Sequence, residues 1–142
     1  MIITTVEDCF KFRLLRKISP DKDKVKRSLE VAEIKLKEVP EAIKLGFHSY
    51  GILDAYMCMF HAARALLYND GIQEKSHYAI YIYLKERYSQ KIPLSVLNLL
   101  NIHRTQRHEA MYGLEFRPDE ADATTAYEDA QRFLNEVKKV LK

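Results

Sequence analysis

Hydrophobic residues recur every three or four positions along most of the chain, which is the period of an α-helix with one buried face. The clearest stripe lies near the C-terminus, where Asp119 can cap a helix. Its apolar members are Ala123, Ala126, Tyr127, Ala130, Phe133, Leu134, Val137 and Leu141. An earlier stripe predicts a second helix and consists of Val25, Leu29, Ala32, Leu36 and Val39. We expect Pro40 to end or kink this second helix, because proline has no backbone N–H to donate.

Residues 50–68 are apolar nearly all round, which predicts a central helix covered by neighbours on most sides. Asp54, His61 and Tyr68 are spaced by seven within it and therefore share one stripe. This stripe has two interpretations. Its polar groups are either satisfied at a seam between two helices, or they form one wall of a groove shared with a later basic helix.

That basic helix is predicted between residues 92 and 113, and one of its faces changes character along its length. The face that carries Leu100 continues to Arg104, Arg107 and His108. Burying a guanidinium without a partner is costly, so the basic end should line a groove or a subunit interface. Gly113 is expected to end the helix as a left-handed cap residue.

The N-terminal region carries two further helix starts. Thr4 or Thr5 can cap a first helix, and Ser19-Pro20 can begin the next, with serine as the cap and proline in the first turn. The last turn of the first helix would carry the basic residues Arg13, Arg16 and Lys17, which suits the negative end of a helix.

Two signals complete the prediction. Asn69-Asp70-Gly71 should stop the central helix, and Ser76 should cap a tyrosine-rich helix from about His77 to Tyr88. The sequence therefore predicts an all-α protein, an up-and-down bundle of about five or six helices. Residues 1–142 should form a single domain.

Composition agrees with long helices, because four glycines and four prolines are few for a chain that makes many tight turns. Cys9 and Cys58 have no spacing typical of a metal site, so we expect free thiols in a cytoplasmic protein. No apolar run of about 18 residues predicts a membrane span. The formal charge of +3 permits a nucleic-acid partner without requiring one. We expect neither a metal nor an organic cofactor.

The candidate chemistry lies in His103-Arg104 and Arg107-His108, since no Walker loop, HExxH, GxSxG or CxxC pair is present. Histidine exchanges protons near neutral pH and arginine binds phosphate with two parallel hydrogen bonds. The two pairs could therefore act on a phosphodiester. Arginines near a helix end are also common as ordinary surface or interface residues, so both interpretations stand on residue types alone.

Three segments resemble the HEPN domain superfamily, in particular its small stand-alone branch. Ala55–Leu67 reads AYMCMFHAARALL, where the branch reads roughly AYYAMFHAARALL. Lys75-Ser76-His77 matches a KxH motif, and Arg107–Gly113 resembles RxxADYG. The resemblance runs from about residue 49 to the C-terminus and leaves residues 1–40 outside. It implies a helical bundle that forms a homodimer and often works beside a minimal nucleotidyltransferase in a toxin–antitoxin pair.

In the nuclease members, an arginine and a histidine separated by four to six residues cut RNA without a metal. Arg107 takes the place of that arginine and Tyr112 that of a tyrosine which often follows. Met111 stands where the branch has aspartate, and Arg104 and His108 are separated by only three residues. The resemblance therefore leaves enzymatic activity open.

Two functions follow as hypotheses. The first is a module that binds a nucleotide, RNA or a nucleotidyltransferase partner; the alternative is a metal-independent endoribonuclease. The catalytic candidates for the alternative are Arg107, His108 and Tyr112. The binding candidates are Arg104, Arg107, His103, His61, Asp54 and His77.

Overall fold

A computed structural model describes residues 2–142, in which six helices and two short strands follow one another. The elements are α1 (Val6–Lys11), β1 (Leu15–Lys17), α2 (Lys22–Lys44), α3 (His48–Asp70), β2 (Ile72–Glu74), α4 (His77–Arg87), α5 (Leu94–Tyr112) and α6 (Glu120–Leu141). The prediction of an all-α bundle is confirmed.

Helix α3 is the centre of the bundle and packs against α2, α5 and α6. Most of its residues are buried, as the apolar run predicted. Gly71 ends it in the left-handed conformation with φ of 74°, and its N–H bonds back to the last turn. A Cβ at this position would lie 2.6 Å from the carbonyl oxygen of Ile18, so both the backbone angle and the close approach require glycine.

The N-terminal region differs from the prediction. Thr5 caps α1 as expected, but the helix ends at Lys11, and Leu15–Lys17 form a strand instead of a basic last turn. This strand pairs antiparallel with β2, with Lys17 opposite Ile72. The pairing buries Leu15 and joins segments that are far apart in sequence, which a helical period cannot reveal.

Helix α2 also starts and continues differently. Its cap is Asp21, whose carboxylate accepts from the N–H of Lys24, and not Ser19. Pro40 does not end the helix, which runs on to Lys44. Proline removes one hydrogen bond, and the long packing of α2 on α3, with Val39 fully buried, offsets that loss.

The later elements follow the prediction more closely. Ser76 caps α4, and Asp119 and Asp122 form a capping box at the start of α6. Gly113 ends α5, but with φ of −71° and an extended backbone, so the expected left-handed cap is wrong. Glycine is needed there because a Cβ would lie 2.6 Å from the carbonyl oxygen of Glu109.

Candidate anion-binding site

Helix α5 changes from buried to exposed at its middle. Leu97 and Leu100 lie in the core, whereas the guanidinium groups of Arg104 and Arg107 lie against tyrosine rings of neighbouring helices. The guanidinium carbon of Arg104 is 5.3 Å from the ring centre of Tyr78, and that of Arg107 is 5.2 Å from Tyr56. These cation–π contacts hold two positive charges in fixed positions at the surface of the bundle.

Most donors of the two arginines remain free. Arg104 Nε donates to Asn101 Oδ1 at 3.0 Å, and Arg107 Nη1 contacts Met111 Sδ at 3.5 Å. The Nε of Arg107 is buried and has no partner among residues 2–142. No carboxylate of the described chain lies within 4 Å of either guanidinium. The pair is therefore an uncompensated cationic surface.

His77, the first residue of α4, lies in an aromatic stack beside this surface. Its ring centre is 4.2 Å from that of Phe60 and 5.7 Å from that of Tyr56, with nearly parallel planes. Its Nδ1 is 2.7 Å from the Tyr56 hydroxyl. The sequence nominated His77, and the structure brings it together with the two arginines.

The protonation of this stack follows from its surroundings. Burial raises the pKa of Tyr56 to about 12, so the phenol stays protonated. Its O–H donates a hydrogen bond to Nδ1 of His77. Burial, and then the charges of Arg107, Arg104 and Arg64, lower the pKa of His77. The imidazole is therefore neutral with its proton on Nε2, a tautomer that we assign from the hydrogen bond.

Arg64 of α3 extends the same cluster. Its guanidinium carbon is 5.3 Å from the ring centre of Phe60 and 5.2 Å from that of Tyr68, whose hydroxyl accepts a hydrogen bond from it. Its Nε lies 2.8 Å from Glu74 Oε1, although the N–H is not directed at that oxygen. Arg64 is thus the third guanidinium of the cluster and the one with a carboxylate beside it.

Sequence reasoning missed Tyr56, Phe60 and Arg64 as site residues. They are spaced by four along α3 and so lie on one face, one turn apart. All three fall within the segment Ala55–Leu67 that carries the family resemblance. An aromatic, aromatic, arginine series at this spacing was the signal that could have found them.

Asp54 lies apart from this cluster, on the side of α3 that faces α2. Its Oδ1 is 3.9 Å from Lys35 Nζ. Burial and the neighbouring Glu38 raise the pKa of Asp54 to about 6. The seam interpretation describes this residue, and the interpretation as a wall of the groove shared with α5 is wrong for it.

His61 lies between the two regions. Its ring packs edge-on against Phe60 with centres 5.3 Å apart. Burial, followed by the charges of Arg64 and Lys35, lowers the pKa of His61 to about 4, so this imidazole is neutral at pH 7. It touches the back of the aromatic stack and does not meet the arginines of α5.

His103 is not part of the cluster. It is 3% exposed, with Nε2 2.7 Å from Asp129 Oδ2 and Nδ1 3.0 Å from Gln106 Oε1. The contact with Asp129 joins α5 to α6, whereas Gln106 lies on α5 itself. Its nomination as a ligand-binding residue is therefore not supported by its position, because both ring nitrogens already have protein partners.

The catalytic candidates lie at the exposed end of α5. His108 and Tyr112 are exposed, with ring centres 5.0 Å apart. Met111 occupies the space next to Arg107, one turn along. This end therefore presents an imidazole and a phenol to solvent, with a thioether beside the arginine that the family motif would pair with histidine.

Two features of the described residues concern other kinds of site. Among residues 2–142, no group of three or more His, Cys, Asp or Glu side chains is arranged to hold a metal ion. Within the same range, no helix has the length and apolar character needed to cross a membrane.

Comparison with known protein families gives a match over most of the chain. The sequence model of the HEPN domain family matches residues 25–140. This match begins within α2, upstream of the segment in which the resemblance is visible by eye. No curated protein matches the chain significantly.

Proposed function

Because the chain belongs to the HEPN domain family, we propose that it binds phosphate groups of RNA or of a nucleotide through Arg104 and Arg107 without cutting the ligand itself. Membership in the family indicates a function connected with RNA or nucleotides. The observation that carries the finer proposal is the pair of guanidiniums fixed on Tyr78 and Tyr56 with no carboxylate partner in residues 2–142.

The physical reason is charge compensation. Two adjacent guanidiniums repel each other, and a phosphate that accepts from both removes this repulsion while forming short, charge-assisted hydrogen bonds. The neutral His77 is half-buried and adds an Nε2–H that has no hydrogen-bond partner in the described chain. This group can donate to a phosphate or a base without adding further positive charge.

Binding is tested by fluorescence anisotropy with two separate probes, a labelled single-stranded RNA and a labelled ATP. The RNA carries 2′-O-methyl groups, so it cannot be cut through its 2′-hydroxyl. We expect Arg104→Ala and Arg107→Ala each to weaken binding of the preferred probe about tenfold, roughly 1.4 kcal/mol.

Arg132→Ala is the matched control, because it removes an exposed arginine from α6. Thermal unfolding of each variant verifies that the fold is kept. If the α5 variants bind both probes as tightly as wild type, or if wild type binds neither, the proposal is overturned.

A homodimer and a nucleotidyltransferase partner of toxin–antitoxin type belong to the same proposal. The proposed interface is supported by exposed apolar side chains at the end of α5 and just beyond it, where Met111 is 45% exposed, Tyr112 64% and Leu114 87%. Side chains of this kind at one end of a helix are typical of an interface. In light scattering, we expect Leu114→Glu to shift a dimer toward monomer, whereas Leu45→Glu, at another exposed site, does not; a monomeric wild type contradicts this part.

The alternative function is a metal-independent endoribonuclease, and the exposed His108–Tyr112 pair beside Arg107 is the observation that favours it. Here Arg107 would bind the phosphate, His108 would transfer the proton and Tyr112 would orient the imidazole. Purified protein incubated with total RNA in EDTA decides between the two functions. Cleavage that His108→Ala abolishes would replace the non-catalytic proposal.

Met111→His sharpens that assay, since it replaces the thioether beside Arg107 with an imidazole that can exchange a proton near neutral pH. Cleavage by this variant together with an inactive wild type would support a chain retained for binding.

A further inference from the structure

A second basic surface adjoins the candidate site. Helices α2 and α3 enclose a cleft of about 200 Å³, which is distinct from the contacts of α5. Its polar and aromatic lining consists of Lys24, Arg27 and Ser28 from α2 and His61, Arg64 and Tyr68 from α3.

The cations of this cleft have capacity for another ligand. Lys24 Nζ lies 5.4 Å from the ring centre of Tyr68 and has no carboxylate within 4 Å in the described chain. Arg27 Nε is 2.8 Å from Asp23, but both side chains are largely exposed. An exposed pair of this kind is weak, and the remaining guanidinium donors of Arg27 are free to bind an anion.

Arg64 connects the cleft to the α5 surface. It lines the cleft and also lies over Phe60, whose ring stacks on His77. The His77 ring also stacks on Tyr56, over which Arg107 lies, and Arg107 is about one turn of α5 from Arg104. The charges of all three arginines lower the pKa of His77. Five cationic side chains thus form one continuous band, with Asp23 and Glu74 as the carboxylates paired to it.

This arrangement suits a particular ligand. The phosphates of a mononucleotide are contiguous and would fill one cluster of arginines. A single strand of RNA instead alternates phosphates with bases, and bases stack on aromatic rings or on guanidinium planes. The band alternates in the same way, because the cations at its two ends are separated by the half-buried imidazole of His77 and the guanidinium plane of Arg64, both packed on the buried Phe60.

We propose that the α2–α3 cleft binds a further phosphate of the same single-stranded RNA that Arg104 and Arg107 hold, with Arg64 shared between the two sites. This inference rests on the proposed function and narrows its ligand to an oligonucleotide.

The test compares two lengths of 2′-O-methyl oligouridylate, a dinucleotide and a strand of about ten nucleotides. The double variant Lys24→Ala/Arg27→Ala removes two charges from the cleft. We expect it to weaken binding of the longer strand about tenfold and to leave the dinucleotide unaffected. The salt dependence of the longer strand should become shallower by about 0.7 in log–log slope, the contribution of the one phosphate contact that is lost.

Lys22→Ala/Lys26→Ala is the matched control, because it removes the same charge from an exposed face of the same helix. It should change neither the salt slope nor the dependence of binding on strand length.

Equal losses of binding in both double variants, or no loss in either, would overturn the inference while the Arg104 and Arg107 variants still test the proposed function. If wild type binds the dinucleotide as tightly as the longer strand, the cleft holds no second phosphate. If wild type binds neither strand, the inference fails together with the RNA arm of the proposed function, while the labelled ATP still tests its nucleotide arm.

Discussion

Two consecutive residues of α5 show opposite ways of placing a polar side chain. His103 is buried and both of its ring nitrogens have protein partners, Asp129 and Gln106. Arg104 points to the surface, and its guanidinium lies on Tyr78 with no carboxylate nearby in the described chain. A polar group whose hydrogen bonds are all satisfied stabilises the fold, whereas one with free donors is available for a ligand.

The largest effect on stability should come from removing His103, the residue whose ring nitrogens have protein partners. His103→Ala removes a buried imidazole with its contacts to Asp129 and Gln106 and leaves a cavity between α5 and α6, so we expect the free energy of unfolding to fall by about 2–3 kcal/mol. Chemical denaturation measures it. His108→Ala, on the exposed side of the same helix, should change stability by no more than about 0.5 kcal/mol. Similar losses in both variants would contradict the comparison.

A smaller effect, on ligand binding, should come from replacing one of the arginines with free donors by another cation. Arg107→Lys keeps the cation but loses the planar group that lies on Tyr56 and can bind phosphate with two hydrogen bonds. We expect binding of the preferred probe to weaken by about 0.5–1 kcal/mol, less than for Arg107→Ala, with unchanged stability. Anisotropy titrations of the two variants side by side provide the measurement. A lysine variant that equals wild type would mean that charge alone matters.

The smallest effect concerns α3, where His61 has cations around it instead of a carboxylate partner. Its pKa in the folded protein is lowered from 6.5 to about 4, so the unfolded chain binds more protons between these values. Wild type should therefore lose stability as the pH falls from 6.5 to 4. Relative to His61→Gln, the loss should be about 1 kcal/mol, discounted because the group is half-buried and screened by solvent.

Asp54 provides the opposite sign as a control. Its pKa is raised from 3.8 to about 6, so the folded protein binds the extra proton and gains stability as the pH falls through that window. The groups that face the two residues are Lys35, Glu38, Arg64 and His77. Unfolding curves of His61→Gln and Asp54→Asn should diverge from wild type in opposite directions, and parallel curves would refute the assignment.

Much of the bundle could be predicted because the sequence signals of a helix are local. The apolar period of α6, the continuous apolar run of α3 and the caps at Ser76 and Asp119 depend only on residues close in sequence. Local signals were weaker at the N-terminus. Strand β1 forms because β2 lies beside it, and α2 passes through Pro40 because α3 supports it.

The sequence by itself determined the helical class, the central position of α3 and the basic character of the second half of α5, because periodicity and charge are properties of neighbouring residues. Only the tertiary structure decided which polar groups are free. Asp129 comes to His103 from another helix, Tyr56 and Tyr78 come to the two arginines, and Lys35 comes to Asp54. Hydrogen bonds and charge pairs act over a few ångströms in space, so residues far apart in sequence settle whether a side chain serves the fold or remains open to a ligand.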